Sequence, residues 1–469
     1  MKKIRFLVTL ALLGLSVSAN AQTHPALGGG NGSEATPYLI YEPEQLADLA
    51  TFVNAGNGET TEGKYYKLMN DIDLGVAPYN TDEGWQPIGN LDFEDASIFQ
   101  GNFDGNNKVV KNLKINRPEQ CYIGLFGFMS GGSIKNLGVE NCNITGLRSV
   151  GGLAGWSETG SITGCHATGT VSGTVDVGGL VGSNMSPITN CYATVNVTGT
   201  GTDSAGGLAG YHHDSNITNC YATGNVTGTQ AAGGLLGHLE SSSIISYCYA
   251  TGNVTGIDRV GGLVGFNNSS TVTNCIAANS SVIATDESST AINRVIGNTN
   301  AGTLQNLYAN SAATVKKGNG NVSQTNALNG MAGEGKEMAA FKSQDFYTTA
   351  ANWNGGAWDF GKVWSISEGE TFPWLKWQNM DETTGNAEML SAAIKIFPNP
   401  TRGELTITNY ESGITNVEIY DRMGRVFNHS QGSIFNTQLK IDLSHLPSGV
   451  FFLKIETERG AITHKVVKK

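Results

Sequence analysis

A short phrase returns along this chain at an almost fixed interval. Gly124-Leu125-Phe126-Gly127 is followed by Gly152-Leu153-Ala154-Gly155, Gly179-Leu180-Val181-Gly182, Gly207-Leu208-Ala209-Gly210, Gly234-Leu235-Leu236-Gly237 and Gly262-Leu263-Val264-Gly265. The leucines stand 28, 27, 28, 27 and 28 residues apart. Units of that period bury an apolar face only against one another, so the chain must form a stack with a long regular surface.

Two further landmarks recur inside each unit: Ile188 to Thr194 (again at Ile217 to Thr223), then Val197 to Gly199 (again at Val226 and Val254). Each is short, β-branched and bounded by turn residues, as strands are. No helical period is sustained between Gly124 and Asn310. Three short strands per unit, repeated in register, describe one coil of a parallel β-helix with coils roughly 4.8 Å apart. One file across the coils reads Leu137, Cys165, Cys191, Cys220, Cys248, Cys275, Leu307. Leucine at both ends marks it as an inward apolar slot, and the cysteines are expected to be free buried thiols. Cys121 and Cys142 lie outside that file. The residue before the slot is mostly Asn (Asn136, Gly164, Asn190, Asn219, Tyr247, Asn274, Asn306), which suits a left-handed corner.

The fold class expected is all-β: a parallel β-helix with about one coil per 28 residues and short helical caps, then a small Ig-like β-sandwich. Residues 1–21 read as a signal peptide, with Lys2, Lys3 and Arg5 before an apolar run and Ala19-Asn20-Ala21 at its end. Residues 22–120 read as an N-terminal cap with the first coils, the cap being a helix over Pro43 to Val53 and the coils lying near Tyr65 to Leu74 and Phe99 to Ile115. The repeats occupy 121–310. Residues 311–377 are expected to close the stack, with a short helix over Lys336 to Phe346 and five of the seven tryptophans after it. A polar linker (378–391) and a β module (392–469) follow.

Residues 22–391 hold 16 cations against 33 anions, and no Lys or Arg occurs between Arg148 and Arg259. Such a face does not suit nucleic acid. No stretch is long and apolar enough for a transmembrane helix.

Catalytic patterns are thin. Gly58 to Lys64 has phosphate-loop spacing, but Tyr65 stands where the magnesium-binding hydroxyl belongs. No His-Glu-x-x-His helix occurs, and His212-His213-Asp214 is the nearest metal-like cluster. Glu158, Asp214 and Glu240 share one edge without forming a matched pair for glycoside chemistry. No cofactor is implied. Asp71 and Asp73 invite a calcium reading, and Asp203-Ser204-Ala205 fits a short O-glycosylation pattern.

The more suggestive features are two aromatic files. After Gly-Leu-x-Gly stand Phe128, Trp156, Ser183, Tyr211, His238 and Phe266. After the Cys slot stand His166, Tyr192, Tyr221, Tyr249, Ile276 and Tyr308, facing outward by alternation. Such stripes stack sugar rings or anchor a protein, or simply stack on one another. Trp156, Tyr211, His238, Phe266, Tyr192, Tyr221 and Tyr249 are the candidate binding residues. Composition and motifs favour binding over catalysis, with a polysaccharide lyase or glycosidase as the alternative.

The Gly-Leu-x-Gly phrase with its Ile-Thr-Asn-Cys-Tyr-Ala-Thr partner resembles the GLUG repeat of bacterial surface proteins, adhesin-like proteins and some immunoglobulin A-cleaving metallopeptidases, over about residues 121 to 310. The last module resembles the type A C-terminal sorting domain of the type IX secretion system, through Ile396-Phe397-Pro398-Asn399-Pro400, Gly403, Gly424, Leu446 to Phe451 with Gly449, and the basic end with Lys465, Lys468 and Lys469. That resemblance implies Sec export, passage across the outer membrane by the type IX machinery, removal of the module by a sortase-like peptidase, and release or attachment to surface lipopolysaccharide.

Overall fold

The computed structural model describes residues 24–25, 27–90, 97–201, 203–378, 394–409, 414–421, 426–434, 438–444, 446–457 and 460–469. The proposed signal peptide and most of the 378–391 linker lie outside the described residues. The chain divides into two compact units, Met1–Leu375 and Lys376–Lys469.

The first unit is a right-through stack of parallel strands. Seven of them form one sheet in sequence order: Phe126–Met129, Ala154–Ser157, Val181–Asn184, Ala209–His213, Leu236–Glu240, Val264–Asn268 and Ile296–Asn300. Each coil then turns into strands of a second sheet, where Tyr192–Gly199 pairs in parallel with His166–Gly173 on one side and with Tyr221–Ala222 and Val226–Thr227 on the other. Parallel sheets need both faces covered. Here the inner face is filled by files: Leu125, Leu153, Leu180, Leu208, Leu235 and Leu263 are fully buried, as are all seven members of the Leu/Cys file.

The repeat phrase has a steric reason. A Cβ on Gly182 would lie 2.3 Å from the Ser149 carbonyl carbon, and one on Gly207 would lie 2.1 Å from the Gly234 carbonyl oxygen. Neighbouring backbones thus approach too closely for any side chain. The expected corner is present in every coil, with φ between 48° and 62° at Asn136, Gly164, Asn190, Asn219, Tyr247, Asn274 and Asn306. Tyr247 holds this conformation although it costs about 1–2 kcal/mol for an ordinary side chain. Its ring meets Trp358 edge-on at 6.2 Å, and its hydroxyl donates to the Gly356 carbonyl at 3.3 Å.

The cysteines form a thiol ladder. The N–H groups of Cys165, Cys191 and Cys220 donate to the Sγ of the next cysteine at 3.3–3.4 Å. Each of the five thiols donates to the carbonyl two residues earlier at 3.1–3.4 Å. All seven cysteines are free, Cys121 exposed and Cys142 buried.

At the N-terminal end, the helix Pro43–Phe52 buries Leu46, Leu49, Ala50 and Phe52. Its first turn is closed by Gln45, whose Oε1 accepts from the Glu42 N–H at 3.2 Å. Tyr38–Ile40, Tyr65–Leu68 and Asn102–Lys111 begin the stack in parallel. The phosphate-loop spacing falls on a 3₁₀ turn, Gly58–Thr61, that leads into a strand instead of opening a helix. Asp71 pairs with Lys111 at 3.0 Å, and Asp73 accepts from Asn112 and from the Gly75 N–H at 2.8 Å, so both carboxylates are engaged within the fold.

The other end departs from expectation in two ways. The Lys336 to Phe346 segment is not one helix. Glu334–Lys336 pairs as a strand with Tyr308 to Asn310, Ala340–Lys342 is a 3₁₀ turn, and Gln344–Thr348 is a short helix after an extended Ser343. The backbone pairing demanded by the open last coil overrides the local helical pattern. Nor do the tryptophans close the end. That is done by residues 328–333, where the Met331 carbonyl accepts from the Val295 and Ile296 N–H groups and Leu328 accepts from Leu307. Buried Arg294 pins this turn, donating to the Ala332 and Gly333 carbonyls and to Asn326 Oδ1. Trp353, Trp358 and Trp364 are buried instead against the side of the stack.

The second unit has a three-stranded and a four-stranded antiparallel sheet, Ile394–Phe397 with Glu404–Asn409 and Gln438–Asp442, and Val426–Ile434 with Ile414–Asp421, Gly449–Thr457 and Gly460–Lys468. Leu405, Ile407, Val417, Ile419, Leu453 and Ile455 are among its core.

Candidate functional site: two aromatic files

The two aromatic files have opposite surroundings. In the second sheet, the rings of His166, Tyr192, Tyr221 and Tyr249 stack at 4.8, 5.0 and 4.8 Å with interplanar angles of 3°, 7° and 4°. Phe372 continues the stack on Tyr249 at 5.8 Å. The Tyr221 and Tyr249 end of this ladder, with Tyr308, lies beneath the strap formed by residues 341–375. Trp364 packs on Tyr221 and Tyr249, and Phe346 and Trp353 meet Tyr308 edge-on. The Tyr249 hydroxyl donates to the Pro373 carbonyl at 2.7 Å, and the Tyr308 hydroxyl to Asn352 at 2.9 Å. Tyr221 and Tyr249 are 5% and 3% exposed. These side chains point away from the coil axis, as alternation requires, but they serve as the strap's bed and offer little to an outside ligand. Of the sequence candidates here, Tyr192 alone is half-buried.

The file on the seven-stranded sheet is open in part, with Phe128 and Ser183 buried. Phe128, Trp156, Ser183, Tyr211, His238 and Phe266 are direct register partners. Trp156, Tyr211, His238 and Phe266 are each half-buried. Phe128 and Trp156 stack at 5.8 Å and 4°, with Tyr122 edge-on to both. Tyr211, His238 and Phe266 follow one another at 5.1 and 5.0 Å, and the Arg259 guanidinium lies 4.6 Å above the Phe266 ring.

Polar groups lock this strip. The Tyr211 hydroxyl donates to Glu240 Oε2 at 2.5 Å, and Asn268 Nδ2 donates to Glu240 Oε1 at 3.1 Å. The Tyr211 hydrogen bond holds the Glu240 carboxyl below its usual range, while burial and then Glu240 push the Tyr211 phenol up. Burial lowers His238. Ser183 interrupts the rings, and sequence reasoning missed what lies there. Asp176, 8% exposed, accepts from Ser204 Oγ at 2.7 Å and from Ser183 Oγ at 3.3 Å, and Ser183 also meets Ser149 Oγ at 2.9 Å. Burial raises the Asp176 carboxyl. Its neighbours in the corner file are Tyr122, Ser149, Ser204, Ala231 and Arg259, with no second carboxylate among them, so no repeat marked it. Ser204 is itself buried in this network, which removes it as an exposed O-glycosylation acceptor.

Of the carboxylates noted in the sequence, Glu158 stands apart, while Asp214 and Glu240 lie on adjacent coils, Glu240 being the register partner of His213 and already engaged by Tyr211 and Asn268. Glu158 and Glu240 sit three coils apart, about 14 Å along the stack at ordinary strand spacing, beyond the roughly 5–10 Å that glycoside hydrolysis uses. His212 and His213 face opposite sides of their strand. His213 Nδ1 pairs with Asp214 at 2.9 Å on the outside. His212 is fully buried, between Asn184 Nδ2 at 2.8 Å and the Ser215 carbonyl at 3.0 Å. The same inward position is filled by Asn184 and Asn267, each donating to a carbonyl of its own corner, so His212 is a structural substitute for asparagine.

In the C-terminal module, Asn399 of the Pro398-Asn399-Pro400 motif clips the last strand. Its Nδ2 donates to the Lys465 carbonyl at 2.7 Å, and its Oδ1 accepts from the Val467 N–H at 3.0 Å. Lys468 is buried, its Nζ donating to the Ser444 and Leu446 carbonyls beside Gly449. Lys465 and Lys469 are exposed, and Gly403 turns the chain below Thr401, which accepts its N–H at 3.0 Å.

Comparison with known proteins agrees with this division. The GLUG motif model matches residues 146–172, 173–198, 201–227 and 228–255, and the secretion system C-terminal sorting domain matches residues 395–469. Halomucin of Haloquadratum walsbyi is 34% identical over 175 residues, 36% of this chain and 2% of halomucin. A candidate Gly-rich membrane protein of Evansella cellulosilytica is 30% identical over 154 residues, 31% of this chain and 17% of that protein. The chain therefore spans only a small part of these curated relatives. A crystal structure of a candidate immunoglobulin A1 protease from Bacteroides ovatus superposes with a TM-score of 0.50 at 21% identity, covering 75% of this chain and 95% of that one, which shows a shared fold. No helix among the described residues is long and apolar enough to cross a membrane. The chain carries GLUG repeats wound as a parallel β-solenoid and a type IX C-terminal sorting domain that directs it to the cell surface or beyond.

Proposed function

We propose that this is an adhesin-like surface or secreted protein whose seven-stranded sheet binds glycans through the Trp156–Tyr211–His238–Phe266 strip. The observation that carries this reading is the contrast between the files. One is covered at Tyr221 and Tyr249 by a strap of its own chain, while the other keeps half-exposed rings at coil spacing. Amphipathic rings held rigidly at regular intervals give large contact area at low entropic cost. The scarcity of cations on these coils favours neutral sugars over acidic ones. In this reading the sorting module passes through the type IX machinery, a sortase-like peptidase removes it, and the solenoid is released or joined to lipopolysaccharide. A host protein is the other ligand class that such rings suit.

A glycan array with the mature protein tests the binding face. Binding that falls at least tenfold in Trp156→Ala and Tyr211→Ala, and is unchanged in Tyr192→Ala, supports it. Absence of binding to any glycan refutes it. Deleting 392–469 is expected to leave the protein in the periplasm; appearance outside the cell would refute the export route.

A further inference from the structure

One corner of the stack is irregular in a way that makes a notch. The path from the repeat leucine to the inward Cys slot is twelve residues in most coils: Leu125 to Leu137, Leu153 to Cys165, Leu208 to Cys220 and Leu263 to Cys275. It is eleven from Leu180 to Cys191 and thirteen from Leu235 to Cys248. The short and the long coil flank the Leu208 coil on either side. The corner on one side is therefore drawn in at Met185 to Pro187, and the corner on the other bulges at Ser241 and Ser242. Between them the structure has an open cavity of about 360 Å³, lined also by Asp214 and Asn216.

Resting on the glycan-binding reading above, we infer that this notch is the subsite for the terminal sugar of a neutral glycan lying along the aromatic strip. Its position fits: the Tyr211 ring is 5.1 Å from His213, which pairs with Asp214, and Glu240, the acceptor of the Tyr211 hydroxyl, directly precedes Ser241. Its size lies at the low end of the roughly 300–1,000 Å³ typical of small-molecule sites, which suits a sugar end. Its chemistry is that of a hydroxyl-rich ligand. Met185 and Pro187 offer an apolar wall for sugar C–H groups, and a carboxylate, an amide and three serines supply acceptors and donors. No Lys or Arg lines the notch to neutralise a sialic or uronic acid, Arg259 standing over the Phe266 ring instead.

The test uses the mature full chain against neutral malto-, cello-, manno- and xylo-oligosaccharides and sialylated glycans, measured by calorimetry. Asp214→Ala removes the carboxylate, and deletion of Ser242 returns the corner to the ordinary length. Each is expected to weaken the best neutral ligand by about tenfold or more, since a charge-assisted hydrogen bond or a whole wall is lost, with the thermal midpoint of Asp214→Ala unchanged. If Tyr211→Ala abolishes binding while Asp214→Ala binds like the parent, the notch is overturned and the strip stands. A preference for sialylated glycans overturns the sugar class. Failure of every glycan to bind overturns notch and strip together.

Discussion

Replacing His212 by asparagine is expected to make the solenoid less sensitive to acid. His212 is fully buried, its Nε2–H donating to the Ser215 carbonyl and its Nδ1 facing the Asn184 amide nitrogen. A second ring proton would point at an N–H₂ group in a fully buried site. Burial is the main cause that lowers its pKa from 6.5 to about 4. Because the folded value lies below the unfolded one, protons bind the unfolded chain first. The stabilising contribution is complete above pH 6.5, declines as pH falls toward 4, and is gone below it. Between pH 7.5 and 5.0 this single group removes about 2 kcal/mol. His24 and His238 are also lowered by burial and act in the same window, so the parent's pH dependence alone does not isolate His212. Asparagine does, because Asn184 and Asn267 already make the required corner bond and do not titrate. Urea unfolding of parent and His212→Asn at both pH values, alongside NMR titration of the imidazole, is the assay. Equal losses in the two proteins, or an imidazole titrating near pH 6.5 in the folded state, would refute the reasoning.

Other outcomes follow from the packing. A chromogenic thiol reagent is expected to modify Cys121 alone in the native protein and all seven cysteines after unfolding; rapid native reaction at any of the five stacked thiols would contradict the file. Arg294→Ala strips three hydrogen bonds from the terminal turn, a loss of about 3 kcal/mol, and hydrogen exchange at the Val295 and Ile296 amides is expected to accelerate about a hundredfold. Tyr249→Phe removes only the bond to Pro373, about 1 kcal/mol. Limited proteolysis is expected to cut the strap sooner in that variant, with the repeats untouched.

Much of this was readable because a repeat tests itself. The Leu and Cys files, their apolar orientation and the Asn corners each appear several times, and even Tyr247, the odd member, keeps the corner conformation. The capping helix was legible from Leu46, Leu49, Ala50 and Val53 at helical spacing. What the sequence hid was long-range. Nothing local in residues 341–375 says that Trp364 and Phe372 lie on tyrosines more than a hundred residues earlier, so the covered and open aromatic files looked alike. Asp176 was hidden because no other coil places a carboxylate in its file. The notch depends on single-residue differences in coil length, which carry no meaning until coils are set side by side.

The central claim is that Trp156, Tyr211, His238 and Phe266 reach solvent while Tyr221 and Tyr249 lie under the strap. Hydroxyl-radical footprinting of the native protein with residue-level mass spectrometry measures this directly. Trp156, Tyr211, His238 and Phe266 are expected to be oxidised readily, and Tyr221 and Tyr249 to be protected until the chain unfolds. Equal oxidation of the two files, or protection of the Trp156 strip, would contradict the account.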